Sequence, residues 1–153
     1  MKTHIERMLR AMSWADERTL EALIERPHAQ GEALPLLAHL LAAEHIWLAR
    51  LRNQEATHPV WPQLDVTECK SLADDNAAGY ATYVGALGES ALDVAIRYRN
   101  TKGEEFVNSA IDILTHVVIH GAYHRGQIAK VLGRSGVPAV NTDFITFARV
   151  VEK

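Results

Sequence analysis

The sequence predicts an all-α protein: a four-helix bundle with a long crossover connection and a short β-hairpin between its third and fourth helices. Three observations predict it. Four long segments repeat their apolar residues at helical spacing, breaker residues gather in the stretches between them, and apolar alternation is confined to one short run before "NTKG". At 153 residues the chain fits a single domain, residues 1–153. A domain of that size buries about 68–70% of its unfolded surface and needs no staples. A hydrophobic fraction of 48% with 23% charged residues is that of an ordinary globular protein.

The first helix runs from about His4 to Arg26, with Thr3 as its N-cap, and stops before "PHAQG". The second runs from about Pro35 to Asn53, proline being acceptable in a first helical turn. The loop "QEATHPVWPQLDVT" follows, and its two prolines forbid regular structure across it. Its length permits the crossover. The third helix occupies roughly Glu68 to Leu87. In "LDVAIRYRNTKGEEFVNS", Val94, Ile96 and Tyr98 alternate with other residues, and Gly103 supplies the positive φ of a hairpin turn. The fourth helix spans Ala110 to Leu132 and ends at "GRSG". After Pro138 the tail reads as a short helix at most.

A formal net charge of −3 lacks the dominant basic patch that phosphate neutralisation needs, so nucleic acid is not an expected partner. No run approaches the roughly 20 apolar residues of a membrane helix, and the N-terminus lacks a signal peptide's apolar segment. The single cysteine, Cys69, cannot form an internal disulfide and fits a reducing compartment. The expectation is a soluble cytoplasmic protein without membrane contact.

Chemistry concentrates in "THVVIHGAYHRGQIAKVL", where His116, His120 and His124 stand four residues apart on the fourth helix. Its apolar axis passes through Ile113, Leu114, Val117, Ile128, Val131 and Leu132. His124 falls about 30° from that axis, His120 about 70° and His116 about 110°. The first two face inward and the third lies at the edge. An i, i+4 pair brings β-carbons about 5–6 Å apart, which lets two imidazoles close on one ion about 2.0–2.1 Å from each nitrogen. Two ligands leave a site undefined, so a third must come from another helix.

The second helix, "LPLLAHLLAAEHIWLARLR", offers His39 and His45, each about 120° from its apolar axis on opposite sides, so the helical wheel does not choose. Glu44 projects from the middle of that apolar face, where a carboxylate is costly unless paired. It could orient a ligating imidazole through its second N–H, or pair with an arginine of another helix such as Arg125. Gln127 lies within about 20° of His120 and could hydrogen-bond a ligand or substrate. Gly121 and Gly126 cost about 1 kcal/mol each relative to alanine, which close approach of another helix would explain. Arg97 and Arg99 on the hairpin read as a solvated edge or as contacts for an acidic group.

Taken together, these segments resemble the DinB/YfiT-like family of small helical metal-dependent proteins. "LLAHLLAAEHIWLARL" is similar to its first metal-ligand helix, and "HVVIHGAYHRGQIAKVL" to its most diagnostic element, H-x3-H-R-G-Q. "WADERTL" looks like its first-helix signature, with Asp16 where asparagine is commoner; "IRYRNTKGEEF" and "NTDFITFARV" resemble its hairpin and C-terminal segment. The resemblance implies His39, His120 and His124 as ligands of a divalent metal, nickel or zinc, and thereby chooses His39 over His45. It also implies a homodimer but does not supply a substrate; the site itself is expected to take a small-molecule substrate, with a low-molecular-weight thiol as a further cofactor. Three imidazoles leave a position open on the metal, as in catalytic sites. The expected activity is therefore that of a thiol S-transferase or a hydrolase, with His116, Glu44 and Gln127 as supporting residues. The alternative is a stress-related bundle that binds metal or ligand without turnover.

Overall fold

The computed structural model describes residues 1–138 and 140–151. Its helices are α1 (Lys2–Glu25), α2 (Gln30–Leu51), α3 (Val66–Ala86), α4 (Ala110–Arg134) and the short α5 (Phe144–Val150). Strands β1 (Ala95–Arg99) and β2 (Glu105–Ser109) form the hairpin between α3 and α4. The fold is the all-α bundle with a small hairpin that the sequence predicts.

Helix α1 packs chiefly on α3 and α4, and α2 on the same two partners, with little contact between α1 and α2. Consecutive helices α1 and α2 thus lie across a diagonal. Such an arrangement departs from simple up-down connectivity and uses the long segment between α2 and α3 as its crossover.

Three helix starts differ from the sequence expectation, while the helix ends fall within two residues of it. Helix α2 begins at Gln30, so Pro35 sits in its second turn and its ring nitrogen gives no hydrogen bond to the preceding turn. Burial of Ala33 and Leu37, both 0% exposed, holds the helix together across that break. Helix α3 begins at Val66 because Asp65 builds a capping box: its Oδ1 accepts from the N–H groups of Thr67 and Glu68 at 2.8 and 2.9 Å, and Glu68 Oε2 accepts from the Asp65 N–H at 2.8 Å. Helix α1 begins at Lys2, one residue ahead of the expected Thr3 cap.

The hairpin register pairs Ala95 with Ser109 and Arg99 with Glu105. Its turn closes on Asn100, whose Oδ1 accepts from the N–H groups of Lys102 and Glu104, and Gly103 takes a φ of 82°. Ile96 and Tyr98 point to the bundle and pack on its core. Among the described residues no helix is long and apolar enough to cross a membrane.

The core has two apolar halves. One gathers Leu20, Leu23, Leu37, Leu41, Leu72, Ile128 and Leu132; the other gathers Leu9, Met12, Leu48, Tyr80, Val84, Leu114 and Val117. Between these halves each long helix contributes a buried polar side chain to one layer: Asp16 from α1, Glu44 from α2, Asn76 from α3 and Arg125 from α4. Leu41 is 0% exposed, one turn before Glu44. Leu41→Ala is expected to cost about 2–5 kcal/mol, measured as a lower urea midpoint at unchanged m-value.

Candidate metal centre

Two elements supply the histidines. His39 comes from the middle of α2, where it is 8% exposed, and His120 and His124 come from successive turns of α4. One candidate ligand nitrogen from each lies within 4.8 Å of the other two. Nε2 of His120 and Nε2 of His124 are 3.1 Å apart. The His39 ring stands edge-on to both, with centroids 4.7 Å from His124 and 6.0 Å from His120.

The nitrogens facing away from the cluster are held by acceptors. His39 Nδ1 lies 2.7 Å from the Val60 carbonyl oxygen, and His124 Nδ1 lies 2.9 Å from Gln127 Oε1. An oxygen acceptor fixes the proton on Nδ1, so Nε2 of each ring carries its lone pair into the cluster. Trp61 stacks on the outer face of His39 at 3.8 Å between centroids and 11° between planes. Burial, reinforced by the neighbouring imidazoles, pushes His120 down to about 4, and burial also lowers His124 against the opposing pull of Gln127. These two rings are therefore neutral at physiological pH, the state in which imidazole ligates a metal.

The donor set fits a divalent cation. Two nitrogens 3.1 Å apart subtend an angle of about 100° at an ion about 2.0–2.1 Å from each, within the range a tetrahedral site accepts. Three imidazoles suit zinc, nickel or copper by softness, and nothing in the donor set separates nickel from zinc.

A family model described as the DinB family matches residues 1–152. The chain belongs to the DinB family. No curated protein and no solved structure gives a significant match to it.

The other candidates of this DinB-family chain divide by location. His45 does not reach the cluster: its Nε2 accepts from the Thr57 N–H at 3.1 Å and its ring meets His58. His116 is exposed, with its ring 5.4 Å from His120 and 5.0 Å from Trp47. Gln127 touches His124, as described above. Glu44 lies in the polar layer of the core, and the acceptors on the histidine Nδ1 atoms are Val60 and Gln127. Val60 and the stacking of Trp61 on His39 escaped the sequence reading because a carbonyl carries no side-chain signal and a tryptophan in a proline-rich loop has no periodicity that would place it against a helix.

The polar layer also answers the questions of Arg125 and the glycines. Arg125 Nη1 donates to Asp16 Oδ1 at 2.7 Å with both side chains almost fully buried, so the arginine pairs with Asp16 where Glu44 was the expected partner. Glu44 is near enough to Asp16 for their charges to repel, Asn76 Nδ2 donates to the Leu41 carbonyl at 2.9 Å, and Tyr80 Oη donates to the Glu44 backbone carbonyl at 2.7 Å. A Cβ on Gly121 would lie 2.8 Å from Arg125 Nη1 and 3.3 Å from Glu44 Oε1, so the glycine admits these side chains to the layer. Gly126 has open space around it, and close approach does not explain it.

One guanidinium cannot neutralise two buried carboxylates. Burial drives both Asp16 and Glu44 upward; the Asp16 charge drives Glu44 farther, while Arg125 holds Asp16 back. The layer's proton therefore rests on Glu44 and the charge on Asp16. Folded Glu44 keeps a proton that the unfolded chain releases above its ordinary value of 4.5, so its contribution to stability is full below that pH and declines as pH rises. Glu44→Gln, which keeps the shape without the ionisation, is expected to gain in melting temperature over the wild type progressively from pH 5 to pH 9. A constant difference across that range would place the proton elsewhere.

Proposed function

We propose that this chain is a divalent-metal-dependent enzyme in which His39, His120 and His124 hold the ion and a small thiol or water enters the remaining position. The observation that carries the reading is the convergence of three imidazoles from two helices, two of them with Nδ1 held by a fixed acceptor. An ion bound by three neutral imidazoles acidifies a bound water or thiol and so supplies a nucleophile near neutral pH.

The chain's own residues divide the remaining work. Val60 and Gln127 hold the ligating rings in one tautomer, and Trp61 shields one face of His39 from water. His116 stands one turn from His120, lowered by burial and by the nearby Arg50 charge, and is thus neutral and able to accept a proton from the entering group. Cys69 does not compete as a nucleophile, since burial together with Asp65 and Glu68 pushes its thiol up to about 12. The attacking sulfur or oxygen comes from outside the chain, which favours an S-transferase with a low-molecular-weight thiol or a hydrolase.

Protein purified without a histidine tag is expected to carry about one equivalent of zinc or nickel by mass spectrometry of the metals. His39→Ala, His120→Ala and His124→Ala should each lose it, while substitution of His4, His28, His45 or His58 retains it. Metal loss in His45→Ala with retention in His39→Ala would reverse the ligand assignment. Gln127→Ala should weaken metal affinity by about 10–100-fold. A screen of glutathione, bacillithiol and mycothiol against reactive electrophiles reads the activity; full metal content with neither transfer nor hydrolysis would make the protein a metal-binding bundle without turnover.

A further inference from the structure

A cavity of about 550 Å³ opens between the end of α2, the loop that follows it and β1. Arg50 lines it, and its guanidinium carbon lies 4.4 and 4.9 Å from the ring centroids of Trp47 and Tyr98, which meet edge to face beside it. A cation–π contact takes none of the guanidinium's N–H groups as a hydrogen-bond donor and leaves them open to an acceptor. Arg125 gives its edge to Asp16, Arg99 to Glu105 and Arg52 to the Gly79 carbonyl. Arg50 has no hydrogen bond or ion pair among the described residues. It is half-buried, so part of its hydration shell is already gone. Arg97, Arg99 and His58 share the cavity wall with Glu55, and Glu105 beside it pairs with both hairpin arginines, which leaves the arginines in excess. A rigid, partly dehydrated cation with open donors in a net positive cavity is built to receive an anion.

The cavity adjoins the segment that orients the histidine cluster. Val60 lines it, and the Val60 carbonyl is the acceptor that orients His39. Trp47, under Arg50, meets His116 at 5.0 Å, and His116 meets His120 at 5.4 Å. Eleven residues separate His39 from Arg50 on α2, which places them within about 20° on one helix face and about 16 Å apart along the axis. A two-carbon acid cannot bridge that distance. A molecule of small-peptide size can, with its acid group at one end and its reacting atom at the other.

We propose that this cavity is an anion subsite, in which Arg50 receives a carboxylate carried by the small molecule whose other end reaches His39, His120 and His124. The link to the histidines rests on the function proposed above; the anion site itself needs no metal. The carboxylate belongs either to the thiol or to the electrophile it attacks.

The test uses metal-free full-length protein, with malonate as the carboxylate probe and cysteamine as a thiol without one, followed by calorimetry and by NMR shifts. Wild type is expected to bind malonate saturably and cysteamine not at all. Arg50→Met should weaken malonate by about 10–100-fold, and Arg50→Lys, which keeps the charge but not the fork, should recover part of it. Both variants should keep the wild-type metal content and melting transition, which separates the subsite from the metal centre and from misfolding. Displacement of malonate by glutathione assigns the carboxylate to the thiol; Arg50-dependent malonate binding that glutathione leaves intact assigns it to the electrophile. Failure of malonate to bind the wild type, or equal binding by Arg50→Met, overturns the proposal even where the three histidines hold metal. Loss of metal binding with malonate binding intact would overturn the metal reading instead.

Discussion

The buried pair of Arg125 and Asp16 is the constraint around which the bundle is arranged. A guanidinium at 6% exposure is costly unless its charge is met, and the carboxylate that meets it stands on a neighbouring helix, α1. Helix α1 can therefore slide along α4 only by breaking the pair, whereas leucines in the two flanking halves would tolerate a shift of a turn. Glu44 and Asn76 complete the level from α2 and α3. One polar side chain per helix gives the four a common register that apolar packing alone does not define.

That register reaches the metal centre through one peptide bond. His124 precedes Arg125, so the side chain drawn toward Asp16 fixes the rotation of α4 that turns His124 toward His39. Gly121 serves the same end from a turn below, by leaving room for both Arg125 and Glu44. The chemistry and the fold are thereby held by neighbouring residues on one helix: a charge satisfied in the core, and lone pairs directed to its edge.

Much of this was legible in the sequence, and the parts that were not have definite causes. The fourth helix has a well-defined apolar axis, so the inward placement of His120 and His124 and the edge position of His116 could be read from angles alone. The axis of helix α2 discriminates less. Ala38, Ala42 and Ala43 are buried beside its leucines, so nearly every face is covered, and a wheel weighted toward large side chains leaves His39 and His45 equivalent. Only the family resemblance separated them. Glu44 was recognised as a buried carboxylate in need of a partner, but its partners lie on α1 and α3, and no pattern within α2 could name them. Pro35 misled for the opposite reason, because tertiary burial outweighed a rule about helix starts.

The Val60 carbonyl sets a constraint on chain length. Connecting loops ordinarily accept insertions, since closing a longer loop adds little entropy. The segment between α2 and α3 has no such freedom at its midpoint: Val60 must bring a backbone oxygen to His39 while Trp61 lies flat on the same ring. One residue gained or lost before Val60 would exchange that oxygen for an amide pointing elsewhere and move the proton of His39 to the wrong nitrogen. A stretch with no regular structure is thus as fixed in length as any helix of the bundle, and a deletion there would alter the chemistry before it altered the fold.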